Sequence, residues 1–396
     1  MSIEDNQSLK ITKGVLSFDD NTLFLRQKDQ GQRQFDFLIG KSKVTATNTN
    51  NFIKNISKNH KFCEENKINY AHAIFPCKAV AYRKKFAEIG IEINPIASSK
   101  HLSHQRVFYP KINNIKEDWY HKTDTHCSYI GYLNILRNLF RIVDMEFPKL
   151  EIVIGKRLIT GDLGKMCNAK DVEVDYIKGF GNNAIVHKFS NIEALPGTSG
   201  EIYFTVNDEP IIKKRLLLFG DSFFEGCLDI LSNIFEEVCY IRNPFIMQDV
   251  ALLLKPDIVF TGCAERYLTK VEYYKNTSPF FINYFKHNAS FEKLNNMTLE
   301  AFKCFFSSRD SHEYLLWRRK LGFKKLLKLT DKELLALAKC DSLLLEYIRD
   351  TAISLEEHSL NEAYRLMSIA QVVRPLGPVI LKKLTYYKTL LNQTDI

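Results

Sequence analysis

Several things are missing from this sequence. No window approaches 18 consecutive apolar residues, so no membrane-spanning helix is expected. Met1 to Lys10 is polar and carries two acidic residues, without the basic start and apolar stretch of a secretory leader. The expected compartment is therefore the cytoplasm, with the face of the inner membrane as a peripheral location. The nine cysteines are odd in number and scattered, with no Cys-x-x-Cys pair. That pattern argues for reduced thiols rather than zinc or a redox dithiol. His101 and His104 stand three apart but have no third ligand nearby, so no metal site is expected. The basic residues form no nucleic-acid fingerprint and are not interleaved with aromatics, which argues against a nucleic-acid partner. What is present is a foldable chain of 396 residues, 45% hydrophobic and 12% aromatic. Its formal charge of +9 is a modest excess that suits a phosphate-bearing ligand or a membrane surface without choosing between them.

The pattern along the chain implies a large α/β domain followed by a helical one. Phe35 to Gly40 reads as the first strand, Asn51 to Asn66 as a helix, and Tyr70 to Phe75 as a strand ending at Pro76. Residues 160 to 210 read as loop-rich. Gly161 to Met166 falls in a glycine-punctuated loop, and Gly179 to Asn183 and Pro196 to Gly200 read as turns. Arg215 to Phe219 is a continuous apolar run, typical of a strand buried on both faces, and it stops at Gly220-Asp221-Ser222. Helical spacing then predicts a helix over residues 223 to 237, and Ile258 to Phe260 reads as a second buried strand. Strand, helix, strand implies a parallel sheet flanked by helices. Beyond about residue 305 the chain turns Leu- and Lys-rich with no strand candidates, which places the domains at 1–305 and 306–396. The segments Ala363 to Val373 and Val379 to Leu391, parted by Pro375 to Pro378, resemble one tetratricopeptide-type hairpin. A single hairpin is not a repeat array, so a helical cap or an oligomerisation element is the expectation.

Two short segments carry chemistry-bearing residues. Ser222, after a buried strand and at a helix start, stands where α/β folds place ligands and where helix N–H groups can hold an oxyanion. Asp221 and Ser222 are equally good helix caps, so position alone leaves nucleophile and cap both open. A serine nucleophile needs a base, and the base an orienting group. Asp124 and His126, two apart in the polar run Trp119 to His126, can face one side of a loop with the carboxylate beside the imidazole. A solvent-exposed Asp-x-His of no chemical consequence remains the alternative. For a second oxyanion donor, Asn182 or Asn183 is available, although turn asparagines are commonly only turn residues.

These segments, in order, resemble the alginate O-acetyltransferase family, a branch of the SGNH hydrolase-like superfamily. The resemblance rests on Thr123-Asp124-Thr125-His126 followed by Gly131, and on Gly220-Asp221-Ser222-Phe223 closing a later strand. It extends to Phe35 to Gly40, to Ala73 to Lys78 with Tyr82, to Gly161-Asp162-Leu163, and to Lys255 to Val259 with Glu265 to Leu268, and so covers roughly residues 35 to 270. It implies an SGNH-like parallel sheet with Ser222 as nucleophile, His126 as general base and then acid, and Asp124 as the orienting carboxylate. Gly220, Asn182, Arg266 and Tyr267 are the candidates for lining the site or holding the oxyanion, with a structural Glu265–Arg266 ion pair as the alternative for Arg266. Cys127 stands where the family usually has Trp, and the export signal or membrane anchor of the family is not seen.

The resemblance further implies an O-acetyltransferase that modifies a hydroxyl of a bacterial surface polysaccharide, such as capsule. No cofactor is expected to be bound, and acetyl-CoA is the expected co-substrate in the cytoplasm. Capsule-synthesis proteins, or a second copy docking through the C-terminal helices, are the expected protein partners. A carbohydrate esterase with the same triad, and a non-catalytic polysaccharide-binding or assembly protein, are the competing readings.

Overall fold

The structure is a computed structural model that describes residues 8–26, 28–29, 32–181, 184–274, 290–321, 323–340, 342–356 and 359–394. The chain divides into two compact units, Met1–Leu299 and Glu300–Ile396. This border falls inside the helix Asn296–Phe305, a few residues ahead of the 305/306 boundary expected from sequence texture.

The first unit opens with β1 (Lys10–Thr12), β2 (Val15–Ser17) and β3 (Leu23–Leu25), an antiparallel sheet. A short pair follows, β4 (Lys28–Asp29) and β5 (Gln32–Arg33). Phe35 to Gly40, read as a strand, is instead mostly helix α1 (Gln34–Leu38). Phe35 and Leu38 are its buried residues, one helical turn apart, and Gly40 leaves the helix at φ +76°.

Seven strands form the central sheet, in the order β10-β11-β13-β12-β14-β6-β7. These are β6 (Asn69–Phe75), β7 (Val107–Phe108), β10 (Val186–Ser190), β11 (Ile202–Asn207), β12 (Ile212–Gly220), β13 (Phe235–Ile241) and β14 (Ile258–Ala264). The run β13-β12-β14-β6-β7 is parallel, and β11 lies antiparallel to both β13 and β10. The middle of the sheet is fully buried, with Leu218 in register with Tyr240 on one side and Phe260 on the other. Between β7 and β10 stands a separate antiparallel hairpin, β8 (Ile152–Ile159) with β9 (Val172–Phe180).

Both faces of the sheet are covered by helices, as an all-buried parallel sheet requires. Alternation along β6 assigns the faces: His72 meets Phe52 of α2 (Ala46–Glu65), while Phe75 meets Tyr132 of α5 (Tyr129–Ile142). Short helices α3 (Lys78–Ala81) and α4 (Arg83–Glu88) follow β6, and α9 (Gln248–Leu254) precedes β14.

The expected helix over 223–237 is broken into α7 (Ser222–Glu225) and α8 (Leu228–Ile234), and the chain then enters β13. Residues 235–241 are nearly all buried, so their apolar spacing reflects a strand enclosed on two sides rather than one helical face. The loop-rich reading of 160–210 also gives way, since this stretch holds β9 to β11 and the helix α6 (Gly161–Cys167). Gly179 and Phe180 end β9, while Asn182 and Asn183 lie outside the described residues. Pro196 to Gly200 is irregular, as its composition suggests.

The second unit is helical. Helix Leu360–Val373 packs on both Ser342–Ser354 and Pro378–Thr394, burying Ile348, Ala363, Leu366, Met367, Ile380 and Tyr387 in one core. Pro378 takes the first helical position, where its missing N–H costs nothing.

Candidate active site

The parallel strands deliver their carboxyl ends to one edge of the sheet, where α/β folds bind ligands. Ser222 follows β12, Arg266 follows β14, Lys78 follows β6 and Arg242 follows β13. Gly220 has no room for a side chain, because a Cβ there would come within 2.7 Å of Gly262 O and of Phe224 Cδ2. The buried Phe224 ring therefore fills the space under the two strand ends. Asp221 caps α7 by accepting from Phe223 N at 3.0 Å, and it accepts from Ala264 N at 2.7 Å, tying β12 to β14. Burial pushes its carboxyl above the usual range, opposed by the Ala264 amide and the Arg266 guanidinium.

Ser222 Oγ lies 2.8 Å from His126 Nε2, and His126 Nδ1 lies 2.8 Å from Asp124 Oδ1. The three residues singled out by spacing thus meet, although 96 positions separate His126 from Ser222. With Nδ1–H donating to the carboxylate, Nε2 is left to accept the Ser222 hydroxyl proton. Burial alone would lower the imidazole pKa, but the hydrogen bond and charge of Asp124, with the charge of Asp162, hold it above its ordinary 6.5. For Asp124, burial pushes upward, yet the hydrogen bonds and charge of His126 bring the carboxyl well below its usual range.

Two residues outside the expected set hold this loop. Asp162 Oδ1 accepts from Thr125 N at 2.7 Å, its Oδ2 accepts from Thr125 Oγ1, and its own amide donates to Asp124 Oδ2 at 3.2 Å. Gly161 permits this close approach: at φ +65°, a Cβ would stand 2.2 Å from Thr123 O. From the other side, the buried Lys78 Nζ donates to the carbonyls of His121 (2.6 Å), Lys122 (2.7 Å) and Asp124 (3.1 Å). Burial brings the Lys78 ammonium down to about 7, against the pull of Asp124, Asp162 and Asp20. The Phe24 and Tyr82 rings flank it. Both residues fall in segments that carry the family resemblance, but nothing local in the sequence ties them to residues 121–125.

The other candidates separate. Arg266 shares a cavity of about 460 Å³ with Ser222, His126, Asp162 and Arg242, and its guanidinium lies over the Phe223 and Tyr267 rings. Glu265 turns elsewhere, accepting from Cys77 N, Ala97 N and Tyr109 Oη, so its carboxylate serves the loops after β6 rather than its neighbour. Tyr267 accepts from Arg266 Nη2 at 3.3 Å and lines an adjoining cavity of about 600 Å³ with Gly220, Asp221 and Arg242. Phe223 N donates to the Asp221 carboxylate and Phe224 N to the Asp221 carbonyl at 3.1 Å, so these amides of α7 are already engaged.

Asp124, His126 and Asp162 form the only group among the described residues whose donor atoms cluster as a cation site would, within 4.8 Å of one another. The imidazole Nδ1 and an Asp124 oxygen in it are already joined by the hydrogen bond above. His101 and His104 each close a local turn, accepting from Ser98 N and Arg106 N. Eight described cysteines form no disulfide, and burial raises the thiol pKa of Cys127, beside the histidine, to about 12, which leaves it un-ionised at neutral pH. No described helix is long and apolar enough to cross a membrane.

No protein-family model matches the chain, and no curated protein does. Among solved structures, it is similar to a DHHW family protein from Eubacterium siraeum at 12% identity, over 66% of this chain and 94% of that one, with a TM-score of 0.45. It is also similar to PatB1 of Bacillus cereus (12% identity, 67% and 99% covered, TM-score 0.40). A third is the O-acetyltransferase domain of AlgJ from Pseudomonas putida (16% identity, 69% and 98% covered, TM-score 0.41).

Proposed function

We propose that the first unit is a serine-dependent O-acetyltransferase. The observation that carries this reading is the continuous relay from Asp124 through His126 to Ser222, with both contacts at 2.8 Å, at the carboxyl edge of a parallel sheet. In the first half-reaction, Ser222 Oγ gives its proton to His126 Nε2 and bonds to the acetyl carbon. The Asp124 carboxylate steadies the imidazolium. The carbon–sulfur bond of the donor breaks, and the leaving thiolate takes the proton from Nε2. In the second, an acceptor hydroxyl gives its proton to Nε2 while its oxygen bonds to the acetyl carbon. The bond to Oγ breaks, and the proton returns to Ser222.

The donor in this reading is acetyl-CoA, and the acceptor is a hydroxyl of a bacterial surface polysaccharide. Arg266 in the Ser222 cleft is suited to a phosphate-bearing donor and is the cation nearest in role to an oxyanion partner, whereas Arg242 beside it is paired with Glu201 and Glu225. The test is intact-mass analysis after mixing with acetyl-CoA or p-nitrophenyl acetate. Wild type gains one acetyl group at Ser222, and Ser222→Ala gains none. Equal labelling of both proteins would refute the assignment, and acetate release with no acetylated polymer would replace transfer by hydrolysis.

A further inference from the structure

The cavity of about 600 Å³ that Tyr267 lines begins at Gly220 and Asp221, immediately ahead of the nucleophile, and extends over the α2 side of the sheet. His72 of β6 and Cys263 of β14 line it there, together with Phe52, Asn55, Ile56 and Asn59, whose spacing puts them on one side of α2. Thr198 and Arg242 line both this cavity and the Ser222 cleft, so the two spaces adjoin beside Ser222. Resting on the acyl-transfer reading above, we propose that this cavity holds the tail of the transferred acyl group, and that Ser222 accepts uncharged aliphatic acyl groups longer than acetyl.

Many of the lining residues are polar, but their polar groups are already engaged within the protein. Asn59 Nδ2 donates to Tyr70 Oη at 3.3 Å, and Asn243 Nδ2 to Phe245 O at 2.7 Å. Arg242 stands between Glu201 and Glu225, at 3.7 and 3.6 Å. Asp221 is held by the Phe223 and Ala264 amides. His72 Nδ1 bonds Thr261 Oγ1 at 2.7 Å, and burial, aided by His104, lowers its pKa to about 3. Burial likewise raises the Cys263 thiol far above its ordinary value. Both side chains are therefore uncharged at neutral pH, and an un-ionised thiol packs as a small apolar group. Lys270 and Glu272 are exposed. The surface left for a ligand is chiefly that of Phe52, Ile56, Phe245, Leu268 and Val271. A charged ligand would lose hydration there without finding partners, whereas a methylene chain needs none.

The outer wall is built into the fold. Asn48 Nδ2 donates to Thr269 O at 2.7 Å, and its Oδ1 accepts from Val271 N at 3.2 Å. Asn51 Nδ2 donates to Val271 O at 2.9 Å, while Asn55 donates to Glu272 O at 2.8 Å and accepts from Tyr274 N at 3.1 Å. Side chains of α2 thus supply the partners that a neighbouring strand would give, and they hold residues 269–274 in place. The Phe245 and Tyr274 rings, with centroids 4.2 Å apart, close the same wall. A space preformed in this way demands little ordering when a tail enters. The covalent step is that of the acetyl reaction with a longer chain: Ser222 Oγ bonds to the acyl carbon, the bond to the leaving group breaks, and His126 Nε2 passes the serine proton to it.

The test offers the full chain p-nitrophenyl acetate, butyrate and hexanoate, and reads kcat/KM for the Ser222-dependent burst relative to the alkaline hydrolysis of each ester. Burying one methylene is worth roughly fourfold in affinity, so hexanoate should exceed acetate by at least about tenfold, with butyrate between them. Val271→Trp and Cys263→Phe, which fill the cavity from its outer wall and from the sheet, should each lower the hexanoate-to-acetate ratio about tenfold. A burst that weakens from acetate to hexanoate, or a ratio unmoved by both substitutions, would overturn the subsite. Absence of a Ser222-dependent burst with any of the esters would instead refute the triad reading, and this proposal with it.

Discussion

Replacing Gly161 by alanine isolates how closely the carboxylate loop must be held. Two effects of Gly161→Ala are separable in the structure. The backbone at φ +65° is left-handed, which costs an alanine about 1–2 kcal/mol wherever it occurs. The added Cβ would also stand 2.2 Å from Thr123 O and 2.6 Å from Thr123 C, and a backbone carbonyl cannot rotate away as a side chain does. Ordinary van der Waals contact begins near 3.4 Å, so Thr123 must retreat by about an ångström, carrying Asp124 with it. A misplacement of that size costs about 100-fold in a reaction that depends on aligned groups. Gly90→Ala is the matched control: its φ of +76° imposes the same strain, but no atom lies within 4 Å of the new Cβ. Gly90→Ala should lose about 1–2 kcal/mol in denaturant unfolding, and Gly161→Ala more, because its clash adds to the same strain. In p-nitrophenyl acetate turnover, only Gly161→Ala should fall, by roughly two orders of magnitude in kcat/KM. Equal activity of the two variants would refute the argument that Gly161 positions the catalytic loop.

Other outcomes follow from the same contacts. Asp162→Asn removes a carboxylate 3.8 Å from His126 Nδ1, so the imidazole should lose its proton at lower pH and the acid limb of the kcat/KM profile should move down. In stability, the raised His126 contributes fully below its ordinary 6.5, and that contribution is lost as pH rises through the folded value. The deficit of Asp162→Asn in urea unfolding should therefore be larger in mild acid than in mild alkali. Lys78→Met strips three carbonyls of their common donor while sparing the protein a buried cation, so stability should change by only about 1–3 kcal/mol. Its kcat should drop at least about tenfold because Asp124 loses its tether, and an unaltered kcat would contradict that role. Phe224→Ala, which empties the space beneath Gly220 and Gly262, should cost about 3–5 kcal/mol in urea unfolding.

Much of the site was legible in the sequence because its signals are local. A continuous apolar run ending at Gly220-Asp221-Ser222 marks a buried strand that stops at a turn, and Asp124 and His126 are close enough in the chain for one loop to orient both. The C-terminal hairpin was equally readable, since Pro378 and the spacing of Ile380, Leu384 and Tyr387 specify a helix start and its buried face. Where the reading failed, one pattern served two structures. Phe35 and Leu38 fit a strand or a helical turn, and only the helix buries both. The apolar spacing from Leu228 to Val238 fits one helix, but residues 235–241 are enclosed between β11 and β12 and form a strand.

Composition and periodicity by themselves determined an α/β unit followed by helices, and residue order nominated a serine, a histidine and an aspartate. Tertiary structure alone decided that these three meet, because bringing His126 to Ser222 depends on how β6, β12 and β14 align at the sheet edge. It alone revealed the clamp on the carboxylate loop, where Lys78 and Asp162 reach from opposite sides to groups about 40 positions away. It also showed the Phe223 and Phe224 amides bonded to Asp221. The physical reason is the same throughout. Local pattern reports whether a residue is buried, whereas which polar groups must pair depends on what the fold brings beside them.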